Sequence, residues 1–260
     1  MGIQNLYMRF VSSPKQISLL LFLILSLSQT ASAHHWQNVD KGLGYTVIQP
    51  ASNDEGKLSL HAFKIDLKYF DLKPLFSSSL STRLPIKQMV LQTRAKVGAN
   101  ANFFDGTNQP LGLIIDNRKI VNPFKKISWW GIFLIENKIP AIVHAHAFRQ
   151  NPAITTAIQA GPRLVINGAI PRLKPDLSRH TAFGIQKNNH VILVVSQEPI
   201  EITELARIMA KPEKEGGLGC VNALNLDGGS SSQIYSKIGS FELDIPSYVG
   251  VPVGLGVFRR

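Results

Sequence analysis

Several absences narrow what this 260-residue chain can be. It has a single cysteine, Cys220, so no internal disulfide can form and the core must hold the domain unaided. No histidine adjoins that cysteine in sequence, which favours a small buried side chain over a nucleophile. Beyond the N-terminal leader no apolar run approaches the ~20 residues of a membrane-spanning helix. There is no Gly-x-Ser-x-Gly elbow and no assignable His–acid pair, which weakens a serine-hydrolase reading at Ser230. Internal repeats and linkers are missing too, so one domain is expected. Acidic residues are scarce, 17 against 28 Lys and Arg. Removing Arg9 and Lys15 with the leader leaves 26 against 17, a net +9, and anionic partners are favoured. The cations are scattered and lack interleaved aromatics, so no nucleic acid is expected. The predicted partner is a phosphorylated saccharide or an anionic envelope polymer.

What is present begins with an export signal. Arg9 and Lys15 precede the apolar core Ile17–Leu27, and Ala31-Ser-Ala33 is a small-residue cleavage site. Residues 1–33 read as a signal peptide and 34–260 as the mature domain, periplasmic or secreted. No cysteine near the cleavage site could take a lipid, so no stable membrane insertion is expected after the signal is removed.

Along the mature chain, Tyr45 to Leu67 alternates as two or three strands around a loop at Ala51–Gly56. Pro85 opens a helix to about Arg94, and a strand follows from Val97 to Asn102. Turn signals at Asp116-Asn117, Glu136-Asn137-Lys138, Asn167-Gly168 and Lys187-Asn188-Asn189 each sit between apolar runs and predict a ladder of hairpins. A second helix is expected after Thr203 as N-cap, with Leu205, Ile208 and Met209 inward and Pro212 ending it. This order gives an α+β fold: one mixed, mainly antiparallel sheet with a few flanking helices.

The stretch Asn222–Tyr235 carries the densest chemistry. The apolar run Val221–Leu226 suits a buried strand, paired glycines cannot extend it, and Asp227 is left at its end ahead of Gly228, Gly229, Ser230 and Ser231. Glycines allow close backbone approach, and hydroxyls then present donors to an oxygen-rich ligand. A tight turn capped by Asp227 is the plainer alternative. Other polar clusters fall at Asn100–Asp105, Gln159–Arg163 and Arg179–Thr181. His144-Ala-His146 places two imidazoles on one strand face without an evident third ligand, so neither metal nor other cofactor is assigned. Trp129-Trp130 reads as core in preference to a sugar platform.

Taken together, Asn100-Ala-Asn102-Phe-Phe-Asp105, Pro110-Leu-Gly112, Ala160-Gly-Pro-Arg163-Leu-Val, Thr181-Ala-Phe-Gly184 and Asn225-Leu-Asp227-Gly-Gly-Ser230 resemble the phosphodiester glycosidase family, in that family's order. The resemblance runs from about Trp36 to Phe258 and implies hydrolysis of a sugar-1-phosphodiester on a mixed α/β fold. It makes Asp227 and Asp105 the candidate catalytic carboxylates. Asn102, Arg163, Arg179, His180, Thr181, Asn225, Ser230, Ser231 and the amides of Gly228 and Gly229 become candidates for binding substrate. Asn102, Arg163, Thr181 and Asp227 are expected to line one pocket. One departure stands out: the family carries arginine directly before the Thr-Ala-x-Gly run, where this chain has His180. Arg179 takes that role only if a bulge re-aims it; otherwise His180 binds phosphate when protonated, or is a surface histidine. The competing function is a non-catalytic carbohydrate-binding protein for exopolysaccharide assembly or export.

Overall fold

The computed structural model describes residues 35–50, 58–77 and 79–260. The leader and the Ala51–Gly56 loop lie outside them. All described residues belong to one compact unit, and none of its helices is long and apolar enough to cross a membrane.

Three main sheets replace the single sheet expected, and every strand pair in them is antiparallel. The first has seven strands in the order Gln37–Asp40, Leu43–Ile48, Leu60–Ile65, Val191–Ser196, Thr181–Gln186, Cys220–Asn225, Arg163–Val165. The second has five: Phe241–Ile245, Ile234–Ile238, Val97–Asn100, Val253–Arg259, Phe70–Phe76. The third also has five: Lys119–Asn122, Ile114–Asp116, Ile154–Ala160, Gly131–Glu136, Ile139–His144.

Period-two burial explains how the first sheet is covered on both faces. Phe183, Ile185, Leu193 and Val195 point into a core shared with the other two sheets, where Phe63 and Phe133 are also fully buried. Each such side chain contributes roughly 1.5–3 kcal/mol by leaving water. The alternate residues Ala182, Ile192, Val194 and Ala223 pack beneath helix Ile202–Ala210 through Leu205, Ala206 and Met209. Gly184 is required there, because a Cβ would come within 2.3 Å of the Cys220 sulfur. Cys220 is itself fully buried, and burial pushes its thiol far above the usual range.

The helices differ in how they begin. Helix Ile86–Thr93 starts after Pro85 as expected, and its first amide is capped by the Gln233 side chain at 2.8 Å. The second starts at Ile202, one residue before the predicted cap Thr203. Ile200–Glu201 pairs with Leu177–Ser178, and Ile202 N–H donates to the Asp176 carbonyl at 2.9 Å, so the helix start needs no capping hydroxyl. The hairpins centre on Asn117-Arg118, Asn137-Lys138 and Asn167-Gly168, all at left-handed φ, which asparagine and glycine tolerate best.

Candidate active site

Asp227 sits where the chain leaves the first sheet for the second. Leu226 N–H still donates to the Thr181 carbonyl at 2.8 Å, while Asp227 N–H donates to the Ala101 carbonyl at 3.0 Å, just past the strand Val97–Asn100. The next residues turn through the short 3-10 segment Gly229–Ser231, and the chain then pairs with that same strand. A residue bonded to both sheets is fixed in position by both.

Asn100 ties this seam together. Its amide donates to the Asp227 carbonyl at 2.6 Å, and its oxygen accepts from the Thr181 hydroxyl at 2.7 Å and from Gln233 N–H at 3.1 Å. Asn100 and Thr181 are both fully buried, so each of these bonds replaces water that cannot reach. The Asp227 carboxylate accepts from the Ser231 hydroxyl and from Gly228 N–H. Burial outweighs both bonds and pushes its pKa up to about 6.

Other polar atoms around this seam are buried without partners. They are Asn102 Oδ1, Asn225 Oδ1, His180 Nδ1, Ser232 Oγ and Trp130 Nε1. Native interiors rarely leave so many donors and acceptors idle, and their grouping near one carboxylate marks a place where a polar ligand or water completes the set. Asn102 spends its amide on the carbonyls of Leu111 and Gln159, at 3.3 and 3.1 Å, and so fastens two loops beside Ala101.

A family model described as phosphodiester glycosidase matches residues 93–258, more than half of the chain and all of these positions. The chain belongs to the phosphodiester glycosidase family. It is 29% identical over 161 residues to the uncharacterized protein YigE of Escherichia coli K12, covering 57% of this chain and 61% of that one. Among solved structures it is similar to the zebrafish N-acetylglucosamine-1-phosphodiester alpha-N-acetylglucosaminidase catalytic domain, auto-inhibited by its pro-peptide. That likeness has a TM-score of 0.67 and 18% identity and covers 88% of this chain and 89% of that one. A hypothetical protein from Synechocystis gives a TM-score of 0.63 at 16% identity over 88% and 64% of the two chains. The chain thus spans less than two thirds of YigE and of the Synechocystis protein, and the two structural likenesses establish the fold.

Within this phosphodiester glycosidase the candidate residues divide. Asn102, Thr181, Asn225, Ser231 and Asp227 meet at the seam. His180 is buried, not on the surface, and a Cβ on Gly228 would lie 3.7 Å from its Nδ1. Arg179 turns away: its guanidinium donates to the carbonyls of Ser196 and Pro246, at 3.4 and 3.3 Å. The sheet alternation explains the split, since neighbouring residues face opposite sides and no bulge intervenes at Arg179.

The glycine amides are not free for phosphate as expected. Gly228 N–H serves the Asp227 carboxylate and Gly229 N–H donates to the Arg179 carbonyl at 2.7 Å. Ser230 is exposed, and its carbonyl accepts from the Ser247 hydroxyl. Arg163 pairs through its backbone with Leu224, but its side chain crosses over Gly131, where a Cβ would lie 2.7 Å from its Cγ. Its charge is felt by His144, whose pKa is lowered first by burial and then by Arg163. Among the described residues no carboxylate pairs with Arg163. The cavities of about 850 and 230 Å³ are not lined by Asn102, Arg163, Thr181 or Asp227, so the single concave pocket expected for these four is not among them.

Asp105 caps its own turn, accepting from Thr107 N–H and hydroxyl and from Gln109 N–H at 2.7 to 3.0 Å. The Thr107 hydroxyl first, then Gln109, hold its carboxyl below the ordinary range. His144 ends its strand and His146 lies in the following 3-10 turn, so the pair does not share a strand face. His144 Nδ1 accepts from His146 N–H at 3.1 Å, and among the described residues no three acidic, histidine or cysteine side chains group as metal ligands. Trp130 is buried against Phe103, whereas Trp129, expected in the core, precedes the strand and is 56% exposed.

Sequence reasoning passed over Asn100 and Gln233, the two amides that join Asp227 to Thr181 and to the helix Ile86–Thr93. Their signal was weak but present, since each is an amide side chain beside an apolar strand and must find partners once buried. Gln159 was passed over in the same way: its side chain accepts from Leu113 and Lys125 N–H and donates to the Lys125 carbonyl, at 2.6 to 3.0 Å.

Proposed function

We propose that this phosphodiester glycosidase is exported and hydrolyses a sugar-1-phosphodiester linkage in envelope or exopolysaccharide material. The observation that carries the reading is a single buried carboxylate, Asp227, raised to about 6 and surrounded by unpartnered polar atoms at a rigid seam. Cleaving the anomeric C–O bond leaves positive charge on the sugar ring while the electron pair departs with the phosphate. A carboxylate that is costly to ionise in its resting site gains most when a cation develops beside it, so Asp227 lowers the barrier more than it aids ground-state binding. The phosphate is a good leaving group without a strong acid, and water completes the reaction at the anomeric carbon.

Thr181 and Asn100 act through the backbone of Asp227 as positioning residues. Arg163, half-buried and without a carboxylate partner, is the group assigned to the phosphate, with the Ser230 hydroxyl beside the turn. His180 takes the place of the family arginine because it, and not Arg179, lies against Gly228.

The test is turnover of the purified mature protein on a panel of sugar-1-phosphodiesters, with neutral glycosides as controls. Release of sugar and phosphomonoester, lost in Asp227→Asn, supports the proposal. Affinity without turnover makes the chain a carbohydrate-binding protein instead. Export is checked by intact mass, which should show a mature chain beginning at His34.

A further inference from the structure

A cavity of about 850 Å³ opens where the edge strand Phe70–Phe76 of the second sheet meets the third sheet, and its lining includes neither Asp227 nor any residue bonded to it. Its mouth carries two copies of one device. Asn117-Arg118 and Asn137-Lys138 are hairpin turns with φ of 45° and 68°, and of 50° and 67°. They stand on either side of the start of Ile154–Ala160, where Arg118 N–H donates to the Thr155 carbonyl at 3.2 Å and Asn137 N–H to the Ala153 carbonyl at 3.4 Å. Each turn thus presents one amide and one cation to the same opening. Lys73 and Arg260 line it as well.

The charges do not cancel. Arg260 binds Asp71 at 2.7 Å, whereas among the described residues Lys73, Arg118 and Lys138 form no ion pair with a carboxylate. The remaining acid, Asp116, is held partly protonated by burial and is opposed by Lys73. Left-handed φ is costly for arginine and lysine, and glycine would fill either second turn position with less strain. That two such turns carry cations at one mouth is an observation stability does not explain.

We propose that this cavity binds a segment of an acidic saccharide chain, at a site separate from the Asp227 seam. Three spaced cations suit sparse carboxylates or phosphates, and the Asn117 and Asn137 amides with the Asp71 and Asp116 oxygens suit sugar hydroxyls. A dense polyanion would be repelled by those two acids. The volume lies within the range of small-ligand clefts.

The experiment is calorimetric titration of the mature protein with a galacturonic acid hexamer at low salt, with maltohexaose and inorganic polyphosphate as comparisons. The hexamer should bind, and maltohexaose should not. Arg118→Gly/Lys138→Gly should weaken binding by roughly tenfold or more and flatten its salt dependence, while Tm holds or rises because glycine accepts both turn positions. Asp227→Asn should bind the hexamer as the wild type does, which separates this site from the catalytic reading. Failure to bind, binding unchanged in the double variant, equal binding of maltohexaose, or tighter binding of polyphosphate would each overturn the assignment.

Discussion

Replacing Asp227 by asparagine separates the carboxylate's charge from its shape. The side chain keeps an oxygen to accept from Ser231 and Gly228, so the turn stays capped, but ionisation is abolished. The wild-type pKa of about 6 lies above the ordinary 3.8 because burial opposes the charged form. At roughly 1.4 kcal/mol per unit, holding the carboxylate ionised costs the folded state on the order of 3 kcal/mol at neutral pH. The folded chain binds this proton more tightly than the unfolded chain does, so the group's contribution to stability falls as pH rises from about 4 through about 6 and is flat above that. Asp227→Asn removes the dependence. In urea unfolding the variant should match the wild type near pH 4 and be the more stable near pH 7.5, by up to about 3 kcal/mol. Turnover should move the other way, falling by about two orders of magnitude or more, with affinity little changed. In the wild type kcat/KM should rise with pH through a midpoint near 6, since the ionised form acts. Normal turnover in the variant would refute the catalytic role. A stability difference that stayed constant between the two pH values would refute the burial argument.

Thr181→Val deletes the hydroxyl donor to Asn100 at nearly constant volume and should cost about 1–3 kcal/mol in urea unfolding, with kcat reduced because the Asp227 backbone loosens. Gly228→Ala brings a Cβ to 2.9 Å from the Arg179 carbonyl, a backbone atom that cannot swing aside, so both Tm and activity should fall. Arg179→Ala should leave kcat within about twofold while lowering Tm, whereas His180→Ala should lower kcat, as steady-state kinetics on both variants will show.

The local signals in the sequence proved legible where a residue's own chemistry decides its conformation. Pro85 opened its helix, the asparagine turns closed their hairpins, and the paired glycines ended the strand before Asp227. Turn centres moved by a residue, as at Asn117-Arg118, because φ at each position is set by strand register and not by composition. The order of motifs identified the family and placed Asp227 at a strand end. Long-range partners were not readable. Nothing local to Asn100 says that it bonds residues 181, 227 and 233, and nothing local to Arg179 says that a proline carbonyl more than sixty positions away will hold it. Sequence by itself determined which segments extend, turn and coil, because backbone sterics and hydrophobic period act over a few residues. Tertiary structure alone decided that the chain forms three sheets, that Asp227 lies buried at a seam between two of them, and that His180 faces it while Arg179 does not. Burial and hydrogen-bond partnership depend on which strands lie side by side, and that is a property of the whole chain.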